Sequence, residues 1–229
     1  MNKEQMHTHA TANHCYKFQG VGIGADMTAL NYFKQLAPQA VLNKASSGLD
    51  VGFGGGGTLK ALHDTYGMRK LYGVDIAPAS FETETCAPKC AKLYHLDVSH
   101  DVLPLAEDSL DVVFCTEVIE HLSNPFFMLA NVKAALKHGG YFCFSFPMPE
   151  NNLGYDSGQH AHIYPGFLQR DSFERFIKQL YFQKVGRLEN GASAWYVFRN
   201  YKGEGVLDVF EIVAGNYTEA QLFDCLENF

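Results

Sequence analysis

The stretch Leu49-Asp50-Val51-Gly52-Phe53-Gly54-Gly55-Gly56-Gly57-Thr58-Leu59 decides the fold of this 229-residue chain. Its first five residues form a short apolar run that predicts a buried strand. Four consecutive glycines follow, and glycine favours loops because it loses the most backbone freedom on ordering. Leu59, Leu62 and Tyr66 then recur at helical spacing, and Gly67 is a typical residue after a helix C-terminus. Strand, glycine loop and helix together predict free backbone N–H groups that face a ligand.

Two classes of ligand fit this loop, and a mobile glycine turn without a ligand is the third possibility. Gly52, Gly54 and Gly57 satisfy G-x-G-x-x-G, the fingerprint of dinucleotide-binding loops. Asp50 argues against a dinucleotide, because a carboxylate beside the loop would repel a pyrophosphate. A carboxylate near the end of a buried strand also needs a partner. A cationic amine, such as that in the methionine part of S-adenosylmethionine, is a suitable partner.

Composition and charge narrow the classes of partner. With 47% hydrophobic residues, a chain of 229 residues can bury a full core and need not have more than one domain. The formal net charge of −7 disfavours a nucleic-acid backbone as the main partner, because phosphate contacts need basic clusters. No apolar run approaches the roughly 20 residues that span a bilayer. We therefore expect a small-molecule ligand and no membrane segment.

The N-terminus and the cysteines indicate the compartment. Residues 1–14 are polar and lack the apolar core of a signal peptide. The six cysteines are spread thinly, and Cys115 and Cys143 lie in apolar runs typical of small buried side chains. Cys86 and Cys90 have the spacing of half a zinc site, but no second cysteine pair completes it. A reducing cytoplasm is the expected setting.

Strand and helix patterns alternate along the chain. After the helix that follows the glycine loop, strands are predicted at residues 70–75, 91–96, 110–114 and 141–146. An apolar helix that starts at Asn124-Pro125 and ends at residues 138–140 separates the last two. Two later strands, at residues 182–188 and 194–199, are joined by a short turn and are therefore antiparallel neighbours. This order predicts an α/β fold, doubly wound and Rossmann-like, around a mostly parallel sheet.

Two of the predicted strands end in a carboxylate. Asp75 lies about 20 residues after the glycine loop, where nucleotide-binding βαβ units place an acid for the ribose hydroxyls. An N-cap for the following helix is the alternative role of Asp75. Asp97 follows the next strand. Because open α/β sheets bind ligands outside the carboxyl ends of their strands, we expect both acids to face one crevice.

A third cluster of polar residues follows the strand at 110–114. Glu117, Glu120 and His121 are spaced i, i+3 and i+4, so that on a helix they share one face beside the glycine loop. The loop after the fifth strand adds two imidazoles, His160 and His162. Two carboxylates and an imidazole can transfer protons or hold a divalent cation. A solvated helix face without a catalytic role is the alternative.

These motifs resemble those of a known enzyme family. The D-x-G-x-G of residues 50–54 is similar to motif I of the class I S-adenosylmethionine-dependent methyltransferases. The E-x-x-E-H of residues 117–121 is similar to that of the ubiquinone-pathway O-methyltransferases and of the small-RNA terminal 2′-O-methyltransferases. The resemblance implies a seven-stranded sheet, mostly parallel with an antiparallel last strand, and S-adenosylmethionine as the cofactor.

The resemblance also assigns roles to residues. Asp75 would hold the ribose, Asp97 would accept from the adenine amino group, and the Val98 N–H would meet the adenine ring. The implied cofactor-binding residues are Asp50, Gly52, Phe53, Gly54, Asp75, Ile76, Asp97, Val98, Thr116 and Glu117. The residues that would bind magnesium or a related divalent cation are Glu117, Glu120, His121 and either His160 or His162. In a metal-free site, the candidate general bases are His121, His160 and His162.

Three parts of the chain are predicted. Residues 1–47 comprise an N-terminal arm and two helices. The first helix carries Leu30 and Phe33 on one face, and the second covers residues 40–45. Residues 48–200 form the core that binds S-adenosylmethionine. Residues 201–229 end in a helix, indicated by a capping box that starts at Thr218, which packs on the core or on a partner subunit.

The function expected from the resemblance is transfer of a methyl group from S-adenosylmethionine to a small molecule, on oxygen. One alternative is an NAD(P)-dependent oxidoreductase that uses the same glycines. Another is a protein of the same fold that binds S-adenosylmethionine without catalysis. We expect a cytoplasmic monomer or homodimer.

Overall fold

The computed structural model describes residues 27–76, 86–148, 180–190 and 193–201, together with Glu174, Ile177 and Lys178. Its elements in chain order are α1 (Met27–Leu36), β1 (Ser47–Val51), α2 (Gly57–Tyr66), β2 (Lys70–Asp75), β3 (Lys92–His95), β4 (Leu110–Thr116), a 3-10 turn (Ile119–His121), α3 (Pro125–Ala135), β5 (Leu136–Pro147), β6 (Phe182–Glu189) and β7 (Ser193–Asn200). The predicted arm before α1, His160 and His162, and the predicted tail helix lie outside the described residues.

All seven strands form one sheet in the order β3-β2-β1-β4-β5-β7-β6. The pairs from β3 across to β5 are parallel, whereas β7 runs antiparallel to both β5 and β6. This confirms the predicted doubly wound α/β sheet with an antiparallel last strand. The strand order reverses between β1 and β4, and a crevice forms at the carboxyl ends of the strands on either side of such a switch point.

Both faces of the sheet are covered. The residues of α3 pack with Leu49, Val51 and the aromatic side chains of β5 on one face. The residues of α1 and α2 pack with Phe114 and Trp195 on the other. Trp195 of β7 is 5% exposed and belongs to this core. In the part of the chain that the structure describes, no helix has the length and apolar character to span a membrane.

The glycine loop begins earlier than predicted. β1 covers Ser47–Val51, not residues 49–53, because the chain turns at Gly52, whose φ is +71°. The following helix, Gly57–Tyr66, starts at the last glycine of the predicted loop and ends at the predicted position. Gly67 ends it in the left-handed conformation and donates its N–H to the His63 carbonyl, as the sequence predicted.

The helix predicted at residues 40–45 is wrong, since this segment forms turns without helical structure. The Asn43 side chain accepts the Ala45 N–H over 2.9 Å, and the Asn43 N–H donates to Ser46 Oγ over 3.1 Å. Such local side-chain hydrogen bonds satisfy the backbone in a non-helical conformation and therefore compete with a helix.

The apolar helix α3 also ends earlier than predicted. Asn124 caps it by accepting the Phe127 N–H, as expected at an N-terminus of this type. Its end is Ala135, not residues 138–140, because Leu136 already pairs with Leu110 of β4. The pairing resumes at Val112 and Tyr141, so that the glycines of this segment lie within an irregular stretch of β5.

Candidate active site

The amides of the glycine loop donate hydrogen bonds within the protein. The Gly52 N–H donates to the Val74 carbonyl over 2.7 Å, and the Gly56 N–H donates to the Phe53 carbonyl over 2.8 Å. The Gly54 N–H donates to Asp75 Oδ2 over 2.9 Å. The expectation of free N–H groups is therefore wrong at these three positions. A diphosphate would have to compete with a carboxylate for the Gly54 donor, so this geometry disfavours a dinucleotide.

Two predicted acids are buried beside this loop. Asp50 lies on β1 between Gly73 of β2 and Phe114 of β4, and it is 2% exposed. Asp75, at the end of β2, is 3% exposed. The Asp75 backbone carbonyl also accepts the Leu96 N–H over 3.0 Å, which ties the end of β2 to the chain that follows β3. The loop is therefore bordered by negative charge.

Nearby acids contribute to a raised pKa at two buried thiols, Cys143 and Cys115. Burial first, and then the charge of Asp50, raises the pKa of Cys143. Burial followed by the charges of Glu120 and Asp50 raises the pKa of Cys115 well above its usual range. Both thiols therefore remain protonated at neutral pH, which confirms that these cysteines are buried apolar side chains and disfavours them as nucleophiles.

The residues predicted to bind ribose and adenine lie at the ends of β2 and β3 or just after them. His95 Nε2 lies 2.8 Å from the Ile76 carbonyl oxygen, which holds the two strand ends together. Asp97 Oδ1 accepts the Ser99 N–H over 3.0 Å, and Val98 is buried. The Asp97 carboxylate thus has a fixed orientation next to the strand that carries Asp75. The structure brings these predicted residues together, and their contacts with a cofactor stay predictions.

Phe53 occupies a different position from the other predicted cofactor residues. Its side chain is 4% exposed and packs in the layer of α1 and α2, where its Cδ1 atom would lie 2.9 Å from a Cβ built on Gly73. The backbone of Phe53 borders the loop, whereas its ring belongs to the core. Thr116 is half-buried at the end of β4, opposite Ser145 of β5.

The segment that carries the E-x-x-E-H motif is not an α-helix, and that prediction is wrong. Glu117 lies in a bend with φ +53°, and only Ile119–His121 form a single 3-10 turn. The physical reason lies in β5, because the Glu117 N–H donates to the Ser145 carbonyl over 3.1 Å and continues the sheet pairing past β4. Glu117 is therefore not part of a shared helix face with Glu120 and His121.

The three motif side chains have separate surroundings. Glu117 Oε1 accepts from Ser145 Oγ over 2.7 Å, and Oε2 accepts from Ser193 Oγ over 3.2 Å. Glu120 is fully buried, and its Oε1 lies 3.7 Å from Nε2 of His121, whose side chain is 21% exposed. Among the described residues no group of three or more His, Cys, Asp or Glu side chains is arranged to hold a metal ion. The cation site that includes His160 or His162 stays a prediction.

Three contacts around the glycine loop were missed by the sequence analysis. A Cβ built on Gly52 would lie 2.3 Å from Val118 Cγ2, and one on Gly56 would lie 2.7 Å from the Ala87 backbone nitrogen. The Cys86 N–H and thiol both donate to the Gly55 carbonyl, over 2.9 and 3.0 Å. Two distant segments thus enclose the loop. Only the glycines themselves hinted at such close approach.

Comparison with known proteins identifies the domain. Residues 49–144 match a protein family described as a methyltransferase domain. This range contains the glycine loop, both strand-end acids and the Glu117–His121 segment. Residues 49–144 therefore resemble a methyltransferase domain. The resemblance of the sequence motifs to this family is thereby confirmed.

Two relatives in sequence are themselves named methyltransferases of different kinds. The chain is 32% identical over 124 residues to a ubiquinone biosynthesis O-methyltransferase of Hydrogenovibrio crunogenus, a match that covers 51% of this chain and 47% of that protein. It is 25% identical over 203 residues to a tRNA U34 carboxymethyltransferase of Hahella chejuensis, which covers 82% of this chain and 62% of that protein. The chain therefore spans about half to three fifths of these relatives.

Solved structures share the fold of this methyltransferase domain. A Haloferax volcanii methyltransferase in complex with the Trm112 activator superposes with a TM-score of 0.62 at 17% identity, covering 78% of this chain and 96% of that one. Geranyl diphosphate C-methyltransferase of Streptomyces coelicolor, solved with Mg²⁺, geranyl diphosphate and S-adenosylhomocysteine, gives 0.58 at 13% identity, covering 75% and 78%. At these identities the likeness concerns the fold.

Proposed function

We propose that this protein transfers the methyl group of S-adenosylmethionine to an oxygen atom of a small molecule. The observation that carries the proposal is the hydrogen bond from the Gly54 amide to the Asp75 carboxylate. This bond occupies a loop N–H group that the phosphate of a dinucleotide would need. A nucleoside with a cationic amino-acid part is compatible with the negative charge of Asp75, and the match to the domain family supports the same cofactor.

The acids around the loop provide separate binding roles. Asp75 ends β2 and Asp97 follows the neighbouring strand β3. Asp75 comes about 20 residues after the loop, as the acid that binds ribose does in nucleotide sites. Asp50 is buried below the loop, close to the amino-acid end of such a ligand. Because every one of these groups accepts hydrogen bonds, they favour a ligand rich in hydroxyl and amino donors.

The cofactor supplies an electrophilic methyl group, so the protein needs mainly to align the acceptor, which can contribute roughly 7–11 kcal/mol. When the acceptor is a hydroxyl, its proton must be removed as the new bond forms. His121 is the described residue suited to accept it, because its side chain is partly exposed at the carboxyl end of the sheet and its Nε2 lies 3.7 Å from the Glu120 carboxylate. His160 and His162 remain the other candidate bases proposed from the sequence.

A tRNA nucleoside is a second candidate acceptor. It is favoured by the match over 203 residues with a protein named as a tRNA carboxymethyltransferase. The net charge of −7 argues against it, since a phosphate backbone would be repelled except at a local basic groove.

Isothermal calorimetry followed by a methyl-transfer assay tests the proposal. Wild-type protein should bind S-adenosylmethionine and S-adenosylhomocysteine, and it should not bind NADH or NADPH. Release of S-adenosylhomocysteine should then depend on an added acceptor, tested with phenols, small alcohols and bulk tRNA in parallel. Binding of NADH in preference to S-adenosylhomocysteine would contradict the proposal. Tight cofactor binding without turnover on any acceptor would favour a non-catalytic role.

A further inference from the structure

We propose that Ser145 and Ser193 hold the Glu117 carboxylate through hydrogen bonds, in place of a divalent cation, and thereby set the position of Val118 against the glycine loop. The proposal rests on the proposed function, because it concerns the edge of the same cofactor site. It assigns a positioning role to two serines that neither the motif nor the domain family marks.

Both oxygens of the Glu117 carboxylate accept a hydrogen bond from a serine. Ser145 Oγ donates to Glu117 Oε1 over 2.7 Å from β5, and Ser193 Oγ donates to Oε2 over 3.2 Å from β7. Ser145 is fully buried and Ser193 is 9% exposed, so water competes little for either hydroxyl. Each carboxylate oxygen therefore accepts a hydrogen bond from a different strand. Such bonds to an ionised acceptor are shorter and stronger than those between neutral groups.

The backbone of Glu117 has an unusual conformation. The φ of Glu117 is +53°, a conformation that residues with a Cβ rarely adopt. It must be maintained by surrounding contacts, and the bonds from Ser145 and Ser193 act on this residue from two sides. The bend places Val118 so close to the loop that a Cβ on Gly52 would lie 2.3 Å from its Cγ2 atom. The serines thus control how the end of β4 meets the glycine loop.

The arrangement of Glu117, Glu120 and His121 does not fit a cation site. A site built on Glu117, Glu120 and His121 requires the three side chains to converge, as they would on one helix face. Glu117 instead lies outside the 3-10 turn and is bound by hydroxyls, whereas Glu120 is fully buried. The described residues contain no group of three acids, histidines or cysteines suited to a metal. Both carboxylate oxygens of Glu117 are therefore bound by hydroxyl donors and are not directed towards Glu120 and His121.

The test uses the full chain and five variants, with S-adenosylhomocysteine binding measured by calorimetry. Ser145→Ala should raise the Kd about tenfold, because a bond to a charged acceptor is lost. Ser193→Ala, which removes the longer bond, should raise it about threefold. Ser193→Thr keeps a hydroxyl and should restore wild-type affinity. Mn²⁺ should produce no binding heat with wild type, and EDTA should leave both Kd and turnover unchanged.

Ser47→Ala is the matched control. The Ser47 hydroxyl also contacts a carboxylate, with Asp111 Oδ2 at 2.9 Å, and it contacts the Ser109 carbonyl at 2.6 Å. Ser47 begins β1, at the amino ends of the parallel strands, whereas the site lies at their carboxyl ends. This variant loses a comparable serine–carboxylate bond and should show a similar loss of thermal stability with unchanged cofactor affinity. It therefore separates a positioning role from general destabilisation.

Three results would overturn the proposal. One is wild-type affinity in both Ser145→Ala and Ser193→Ala. Another is Mn²⁺ binding to wild type that Glu117→Gln abolishes. The third is loss of affinity in Ser47→Ala equal to that in the site variants. If wild type binds no S-adenosylhomocysteine, the proposed function fails, and the Mn²⁺ titration of wild type against Glu117→Gln still decides the role of Glu117. If Ser145→Ala does not fold, the comparison of Ser193→Ala with Ser193→Thr still tests the proposal.

Discussion

Gly54 and Asp75 are joined by a 2.9 Å hydrogen bond from the loop amide to the strand-end carboxylate. The bond orders the glycine loop before any ligand arrives, and it occupies an N–H donor that the phosphate of a dinucleotide would need. Ordering the loop in advance lowers the conformational entropy that binding must remove. We therefore expect this loop to bind a ligand that donates hydrogen bonds.

Asp75 should contribute both to loop order and to ligand binding, and two substitutions separate these roles. Asp75→Asn keeps an oxygen acceptor for the Gly54 amide but removes the charge, and we expect about a tenfold loss of S-adenosylhomocysteine affinity. Asp75→Ala removes both and should cost more. Calorimetry measures the two Kd values. Asp64→Asn, an exposed acid on α2 that pairs with Lys60, is the control and should bind as wild type. Equal affinity of wild type and Asp75→Ala would contradict the assignment.

Gly52→Ala should destabilise the fold more than Gly67→Ala. Both glycines have φ near +70°, at +71° and +68°, so both variants incur the left-handed strain of about 1–2 kcal/mol. Only at Gly52 does the new methyl clash, because Val118 Cγ2 would be 2.3 Å away, whereas the nearest atom at Gly67 is 3.6 Å away. Urea unfolding of the two variants measures the difference. Equal unfolding free energies would mean that Val118 moves freely.

His121→Ala should reduce turnover far more than cofactor affinity. General base catalysis typically contributes about 10²- to 10⁴-fold, and we expect a loss of that order in kcat. The Kd for S-adenosylhomocysteine should change little. His138→Ala is the control. This exposed imidazole makes an edge-to-face contact with Tyr201 and lies away from the carboxyl ends of the parallel strands. Losses of kcat and affinity by the same factor would indicate that His121 is only structural.

Asp111 should make folding stability depend on pH. Partial burial disfavours its charged form, but hydrogen bonds from Lys137 and Ser47 outweigh this and lower the pKa of Asp111 in the folded state. Because the pKa of Asp111 is lower in the folded than in the unfolded state, its ionisation stabilises the fold at pH values above the unfolded-state pKa. This contribution disappears as the pH falls through the folded-state pKa. Asp111→Asn should therefore unfold at lower urea than wild type at about pH 7. The difference should shrink towards about pH 3, below the ordinary Asp value of about 3.9. A constant difference would contradict this linkage.

The sequence by itself determined the elements that depend on local pattern. The apolar run at Lys70–Asp75 has the predicted bounds, and the helix after the glycine loop ends at Gly67 as its spacing indicated. The late pair β6 and β7 is antiparallel because a turn this short leaves no other pairing. The acids at strand ends were also readable, since parallel strands bring their carboxyl ends to one edge.

Only the tertiary structure decided the arrangement of the site. The spacing of Glu117, Glu120 and His121 is helical, yet Ser145, 28 residues later, and Ser193, 76 residues later, draw Glu117 onto the sheet instead. The loop amides likewise face Val74 and Asp75 because β1 and β2 pair in one register. Hydrogen bonds between distant segments outweigh the weak local preference for one further helical turn, and no local pattern in the chain contains that information.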